Sequence, residues 1–382
     1  MSGGIPASRY AERLERTAAA ARAAGVRALL IGVGPELEWL TGYEAKPLER
    51  LTLLVLPADG DASIVVPRLE VGAAEAAPAI GDGTVRVRPW METADPYDQV
   101  WEALPGRAGA RLAVSDTMRA SFLLRLQATY PDAAFEVAGP VMGALRHLKD
   151  EDEIALLRAA GAAADRAVMG IARGRLVGRT EADVAAEVRA RLVDEGHDSA
   201  SFWIVASGPR SASPHHDPDD RVISAGEPLL LDIGGRRSGY CSDITRTLWL
   251  TGGDDARGPD DTFRSVHRLV QEANAAGRAA VRPGVAAQDV DRAARAVIEA
   301  AGHGAAFFHR TGHGIGLEGH EDPYIVEGDT EPLGVGDAFS VEPGIYLEGR
   351  YGVRIEDIVV CAPAGADVLN DAPRELLVVS GT

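Results

Sequence analysis

Four carboxylates and one imidazole stand inside segments that otherwise look like buried strands. Asp232 closes the apolar run Leu229-Leu230-Leu231 and is followed by Ile233-Gly234-Gly235. Asp243 comes eleven positions later, beyond the turn-forming stretch GGRRSG (234–239). His313 sits in the glycine-rich run HRTGHGIGLEGH (309–320), Glu342 in VGDAFSVEPGIY (335–346) and Glu356 in YGVRIEDIVVCAP (351–363). Gathering that much anionic charge in a strand-built interior is too costly unless cations neutralise it. The fold must therefore bring these side chains together around something positive. Oxygen-rich ligands with a single nitrogen suit a hard or borderline divalent ion such as Mn²⁺ better than a thiolate-type zinc site. This many carboxylates suit two ions rather than one.

The order of elements around these residues suggests two domains. The first third alternates helices and strands. Residues 9–25 have helical apolar spacing and end in Gly25, a good helix terminator. Residues 51–57 and 62–67 flank the turn ADGD and predict a hairpin. Helices are expected near 95–105 and 118–130. No catalytic constellation occurs in this region. A charged joint at Lys149–Glu153 then precedes a long alanine-rich helix reaching 172, which places the boundary near Leu145–Asp150. Two helices followed by strands then occur twice: the alanine-rich helix within 145–172 and one at 180–195 before strands at 201–208, 227–235 and 240–250, and 262–280 and 286–301 before strands at 335–346 and 351–363. The repetition predicts a duplicated α+β unit with a site where its halves meet, although no residue-level repeat is visible.

Composition limits the partners. Hydrophobic residues make up 46% of the 382 positions, enough for sizeable cores. The formal net charge of −18 argues against nucleic acid and against an anionic membrane, both of which need a basic footprint. No apolar run approaches the ~18–20 residues of a membrane span. Residues 1–8 lack the basic start and apolar core of a signal peptide. Cys241 and Cys361 both lie in apolar runs, which favours buried free thiols and a cytoplasmic location.

Other residues cluster near the five. Five of the nine histidines fall in 309–320 and in His215-His216. Neutral imidazole is a metal ligand, and a nearby histidine moves protons near pH 7. Asp232 and Asp243 suit neighbouring antiparallel strands; the competing reading has each cap a turn or pair with Arg236, Arg237 or Arg246. Arg354 and Glu356 are two apart and share a strand face, so Arg354 either orients a ligand, holds a substrate carboxylate or simply pairs with Glu356. The stretch GIGLEG (314–319) matches the dinucleotide pattern G-x-G-x-x-G, but HEDP follows instead of a helix. HExxH, GxSxG, a P-loop lysine and CxxC are all missing.

The ordered set LLLDIGG, SDITRT, HRTGHGIGLEGHE, VEPGIY and VRIED resembles the metal-dependent pita-bread peptidases, and among them the proline-specific branch of Xaa-Pro aminopeptidase and Xaa-Pro dipeptidase (prolidase). It covers about 201–363. A weaker likeness, carried by LTGY (40–43) and the α/β order, links the first third to the creatinase/prolidase N-terminal domain. The resemblance implies an α+β fold, with a pita-bread domain (150–382, a duplicated αβ unit) preceded by a smaller α/β domain (8–146). It implies two divalent ions, with Mn²⁺ favoured and Co²⁺ or Zn²⁺ as alternatives. Asp232 and Asp243 would hold one, His313 and Glu342 the second, with Asp243 and Glu356 bridging. Glu342 would accept the proton. His215, in preference to His216, and His320 would act on the substrate carbonyl. His309 would be a supporting or subsite residue, with Arg354 and Tyr346 in support. The implied substrate is a dipeptide or peptide with proline second, and the implied assembly a homodimer. A creatinase-like or other small-molecule hydrolase and a non-catalytic binding protein are the alternatives; creatinase lacks the metal ligands that are all present here.

Overall fold

The computed structural model describes residues 4–104 and 109–382, and their packing separates two compact units, Met1–Arg146 and His147–Thr382. Part of the leading segment 1–8 and Pro105, the last residue of the helix expected at 95–105, lie outside the described residues. The observed helix there is Pro96–Ala103, and the Asp95 carboxylate accepts from the Tyr97 N–H at its start.

The N-terminal unit is built on one mixed sheet of β1 (Ala28–Ile31), β2 (Leu53–Pro57), β3 (Ser63–Pro67), β4 (Arg86–Trp90), β5 (Arg111–Val114) and β6 (Ala134–Val137). Their order is β4-β3-β2-β1-β5-β6. The expected hairpin is β2–β3, paired antiparallel with Val55 opposite Ser63. Every residue of β1, β2 and β3 is buried, as expected of strands covered on both faces. Helix Ala7–Ala23 stops where the sequence suggests. Gly25 adopts φ +70°, and the Val26 N–H reaches back to the Ala21 carbonyl at 2.9 Å.

The C-terminal unit opens with helix Glu151–Ala172, which starts inside the charged joint at Lys149–Glu153 that was expected to precede it. Asp150 and Glu153 close a reciprocal capping box at its start, and a separate short helix, Gly139–Arg146, takes the residues before it. Thr180 and Asp183 cap helix Glu181–Asp194 in the same way. The strands are β7 (Ser199–Ser207), β8 (Glu227–Arg237), β9 (Tyr240–Cys241), β10 (Ile244–Leu250), β11 (Gly312–Gly314), β12 (Glu321–Ile325), β13 (Ala338–Val341), β14 (Gly344–Leu347), β15 (Tyr351–Arg354), β16 (Asp357–Ala362), β17 (Gly365–Val368) and β18 (Leu377–Val379). They form sheets of order β18-β10-β8-β7, with β9 on β8, and β12-β11-β13-β16-β17, plus the pair β14–β15. Two helices precede the strands of each half, the second pair being Asp261–Ala280 and Ala287–Ala300.

Strand alternation explains which way the charges face. Leu229, Leu231 and Ile233 of β8 pack with Val168, Ile171, Val184 and Val188 of the helices. Asp232 lies between two of these and so projects from the opposite face.

Three stretches expected to be single strands are interrupted. The run 335–346 breaks between β13 and β14, 351–363 between β15 and β16, and 240–250 between β9 and β10. In the first two, Val341 pairs with Asp357 and Gly344 with Arg354, which leaves Glu342-Pro343 facing Ile355-Glu356 outside the ladder. The freed backbone groups find other partners. Glu342 N–H donates to Thr311 O (2.8 Å) and Glu356 N–H to Thr245 O (3.1 Å). Buried Asn274 donates to Val341 O (2.8 Å) and Ile355 O (3.3 Å). A break costs little when each orphaned group is satisfied.

Candidate metal centre

The breaks carry Asp243, Glu342 and Glu356, the face of β8 turned away from the helices carries Asp232, and β11 carries His313, and together they deliver the five residues to one place. Ligand atoms of Asp232, Asp243 and Glu356 lie within 4.8 Å of one another, and so do those of His313, Glu342 and Glu356. A third group joins Asp243, His313 and His320. Asp232 pairs across the sheet with Thr245, and Asp243 lies two residues before Thr245, in the break that precedes β10. His313 Nε2 is 3.4 Å from Glu342 Oε1 and 3.7 Å from Asp243 Oδ2. Its Nδ1 lies 3.1 Å from Gly314 O. A proton on Nδ1 satisfies that carbonyl and leaves the Nε2 lone pair aimed at the carboxylates.

The electrostatics of the site favour positive charge. Asp243 and Glu356 are each 4% exposed or less. Burial pushes the Asp243 carboxyl well above its ordinary range, and Glu356, Asp232 and Glu342 push it further. Burial and then Glu342 and Asp232 do the same to Glu356. Glu342 is pushed up to about 7 by burial, opposed by Arg354. Burial and then His320 take His313 down to about 3, so its ring is neutral. Asp232 Oδ1 and Asp243 Oδ1 are buried without a hydrogen-bond partner. Unpaired buried carboxylate oxygens are costly. Two such atoms in a nest of acidic groups and one neutral imidazole fit divalent cations.

The alternative pairings of the acidic residues are not the ones found. Arg246 pairs with Asp357, while Arg236 and Arg237 donate to the carbonyls of Gly239 and Ala159. Arg354 holds Asp232 across the sheet, not Glu356, with Nη2 donating to Oδ2 at 2.5 Å. Its other donors go to Thr245 Oγ1, Tyr346 Oη and Pro214 O. Thr245 Oγ1 in turn donates to Glu356 Oε2 at 2.7 Å.

The ligands face a cleft of about 800 Å³, lined also by Phe202, Ile204, Pro214, Phe308 and Arg310. His215, His309 and His320 line it too. The His320 ring lies 3.8 Å from that of His313, and its Nδ1 accepts from Arg310 Nη2 at 3.2 Å. His320 therefore carries its proton on Nε2 and is a donor. His309 Nε2 meets the Tyr346 hydroxyl at 2.9 Å, and burial followed by Arg354 lowers its pKa to about 4. Tyr346 is buried beneath the cleft, holding His309 and Arg354, and is not among the cleft-lining residues. His216 also stays out of the cleft: its Nε2 lies 2.7 Å from the fully buried Glu181 carboxylate. Of the two adjacent histidines only His215 reaches the site. Sequence reasoning missed Arg310, Thr245, Asn274 and the apolar wall. Arg310 was hidden among histidines; Thr245 was recoverable, since it sits two residues from Asp243 in SDITRT.

Two family models match the chain: Metallopeptidase family M24 over residues 155–363, and the Creatinase/Prolidase N-terminal domain over residues 13–148. The sequence is 46% identical over 371 residues to the probable dipeptidase PepE of Mycobacterium tuberculosis, which spans 97% of this chain and 96% of that one. The crystal structure of dipeptidase PepE from Mycobacterium ulcerans matches with a TM-score of 0.91 at 45% identity, covering 99% of this chain and 100% of that one. The recombinant prolidase from Thermococcus sibiricus matches with a TM-score of 0.89 at 33% identity, over 99% and 100% of the two chains.

Proposed function

The chain belongs to metallopeptidase family M24, and from that premise we propose that it hydrolyses the peptide bond between an N-terminal residue and a following proline, using two divalent ions. The fold is the family's, a creatinase-like domain followed by a pita-bread domain. The observation that carries the reading is the convergence of four carboxylates and a neutral imidazole, with two buried carboxylate oxygens unpartnered. We assign residues 8–146 to the N-terminal domain and 150–382 to the catalytic one.

Asp232, Asp243 and Glu356 would hold one ion and His313, Glu342, Asp243 and Glu356 the other, with Mn²⁺ the favoured metal on its taste for oxygen ligands. When bound, such a pair supplies Lewis-acid polarisation and an acidified water near neutral pH. The side chains do the rest. Glu342 would take a proton from the attacking water and pass it to the leaving proline nitrogen as the C–N bond breaks. His320 donates its Nε2 proton towards the carbonyl oxygen as that oxygen gains charge. His215, at the cleft surface, is placed to assist it. Arg354 fixes the Asp232 carboxylate and, through Pro214 O, the loop that carries His215. Tyr346 and His309 hold Arg354 in turn. Proline has no N–H and a fixed ring; Phe202, Ile204 and Phe308 give the cleft the apolar surface that such a substrate needs.

Relatives named dipeptidase and prolidase across nearly the whole chain favour a dipeptide substrate over a longer peptide. Two buried free cysteines support a reducing, cytoplasmic setting, and no described helix is long and apolar enough to cross a membrane. A homodimer is the assembly that the resemblance to the proline-specific branch supports. The test is a length series on Mn²⁺-loaded protein: Leu-Pro should be cut, Leu-Pro-Ala-Ala cut more slowly, and a chelator should abolish both until Mn²⁺ is returned. Hydrolysis of neither substrate would overturn the reading.

A further inference from the structure

We propose that Arg310 is a specificity-determining residue that receives a carboxylate of the substrate. The inference rests on the Xaa-Pro reading above and names what the cleft selects besides proline.

Two arginines line the cleft, and they differ in how they are used. Arg354 is spent: it donates to Asp232, Tyr346, Thr245 and Pro214. The Arg310 guanidinium lies on the Tyr324 ring, 4.4 Å from its centroid, and gives one N–H to His320 Nδ1. A guanidinium has five N–H donors, so four remain. Among the described residues no carboxylate lies within 4.0 Å of it, in a chain with 57 Asp and Glu against 39 Lys and Arg. The stacking fixes the plane of the fork, and a fixed fork matches a carboxylate two bonds at a time. A half-buried arginine beside a strongly acidic centre, with a flat, oriented and unsaturated donor edge, is built for an anion that arrives with the ligand.

A dipeptide offers such a carboxylate from two sources: its C-terminus, one residue beyond the cut, or an acidic side chain on the first residue. Both present the same chemistry to Arg310. In the first case Arg310 explains a preference for dipeptides over longer chains; in the second it explains a preference for Glu-Pro or Asp-Pro.

The experiment uses the metal-loaded full chain and three reduced-bond analogues in which CH₂–N replaces the scissile amide, so that nothing turns over. They are the analogues of Leu-Pro (C-terminal carboxylate only), Glu-Pro-NH₂ (side-chain carboxylate only) and Leu-Pro-NH₂ (neither). Binding is measured by calorimetry for the unmodified protein, Arg310→Ala and Arg310→Gln. Gln keeps an N–H for His320 while removing the charge. Both variants should weaken a carboxylate-bearing analogue by about ten- to a hundredfold and leave the neutral one unchanged. Loss confined to the Leu-Pro analogue assigns the C-terminus, loss confined to the Glu-Pro-NH₂ analogue assigns the side chain, and loss of both assigns both. Equal weakening of all three analogues, or of none, overturns the proposal. Turnover of Leu-Pro by the unmodified protein is scored separately: its absence sinks the Xaa-Pro reading, while the affinity differences still decide the role of Arg310.

Discussion

The N-terminal sheet and the sheets of the C-terminal unit are made from similar apolar runs and put to opposite use. In the N-terminal unit the strands β1, β2 and β3 are continuous and wholly buried, and its buried charges, Arg13 and Glu36, sit on helices. In the C-terminal unit the runs are cut, and the cuts carry the chemistry: Asp243, Glu342 and Glu356 each stand in a break between two strands. A continuous ladder spends every backbone group on its neighbours and offers the interior only side chains at fixed alternation. A break whose orphaned groups are met by Asn274, Thr311 and Thr245 frees a residue to point where the ladder would not allow. The difference shows how a β-rich core becomes a site without a long loop.

The largest expected effect breaks the two regions apart. Asp243→Ala combined with Glu356→Ala removes both proposed bridging carboxylates. It should abolish tight Mn²⁺ binding and lower activity on the order of a thousandfold or more, with little loss of stability in the metal-free protein because repelling charges are removed. Leu30→Ala in β1 should do the reverse, costing about 2–5 kcal/mol of unfolding free energy without changing Mn²⁺ affinity. Full activity of the double variant sinks the metal assignment.

Much of the site was legible because charge in an apolar run is conspicuous. Asp232 after three leucines, and Glu356 between isoleucine and aspartate, ask for a partner on sight. The break at Glu342 had a signal in Pro343-Gly344 that was passed over, whereas the one at Glu356 was not legible, since 351–363 has the composition of a single strand and the groups freed there are met by Thr245 and by Asn274 of a distant helix. His215 and His216 share one sequence context. What separates them is the buried Glu181 carboxylate, brought from a helix 35 residues away in sequence. Arg354 was expected to orient a ligand, hold a substrate carboxylate or pair with Glu356, and which carboxylate it orients was hidden for the same reason. Its neighbour two residues on, Glu356, bonds Thr245, while Asp232, 122 residues away, takes the guanidinium. The fold class and element order came from local pattern, which needs no long-range knowledge; these pairings are long-range and are set by register.

Acid should separate the regions as well, because all nine histidines lie at or beyond His147. His267 is 3% exposed on helix Asp261–Ala280, and burial lowers its pKa from 6.5 to about 4. The folded state then binds fewer protons than the unfolded state, so its contribution is present above 6.5 and is lost as pH falls through 4. A shift of this size is worth about 3 kcal/mol. Hydrogen exchange resolved by unit should show protection falling between pH 6.5 and 4 in the C-terminal unit, with no histidine contribution in the other. His267→Gln should make that slope shallower by its own share, since His309 and His313 are lowered in the same unit; an unchanged slope would remove His267 from the account.

The finest distinction is between a carboxylate that is merely in a break and one that is aimed. Thr245 is fully buried, donates to Glu356 Oε2 at 2.7 Å and accepts from Arg354 Nε at 3.1 Å. It therefore couples the Glu356 side chain to the arginine that holds Asp232. Thr245→Val keeps the branched shape, so the core around it stays filled, but both bonds go. If the breaks alone place the ligands, Mn²⁺ affinity should hardly move. If aiming matters, affinity should fall about ten- to a hundredfold, as is typical when the hydrogen-bond partners of metal ligands are removed. A Mn²⁺ titration of the Thr245→Val protein decides between them, and we expect the fall. Glu356 would otherwise be free to turn on its own stem, and a carboxylate that must serve two ions has only a narrow range of useful directions.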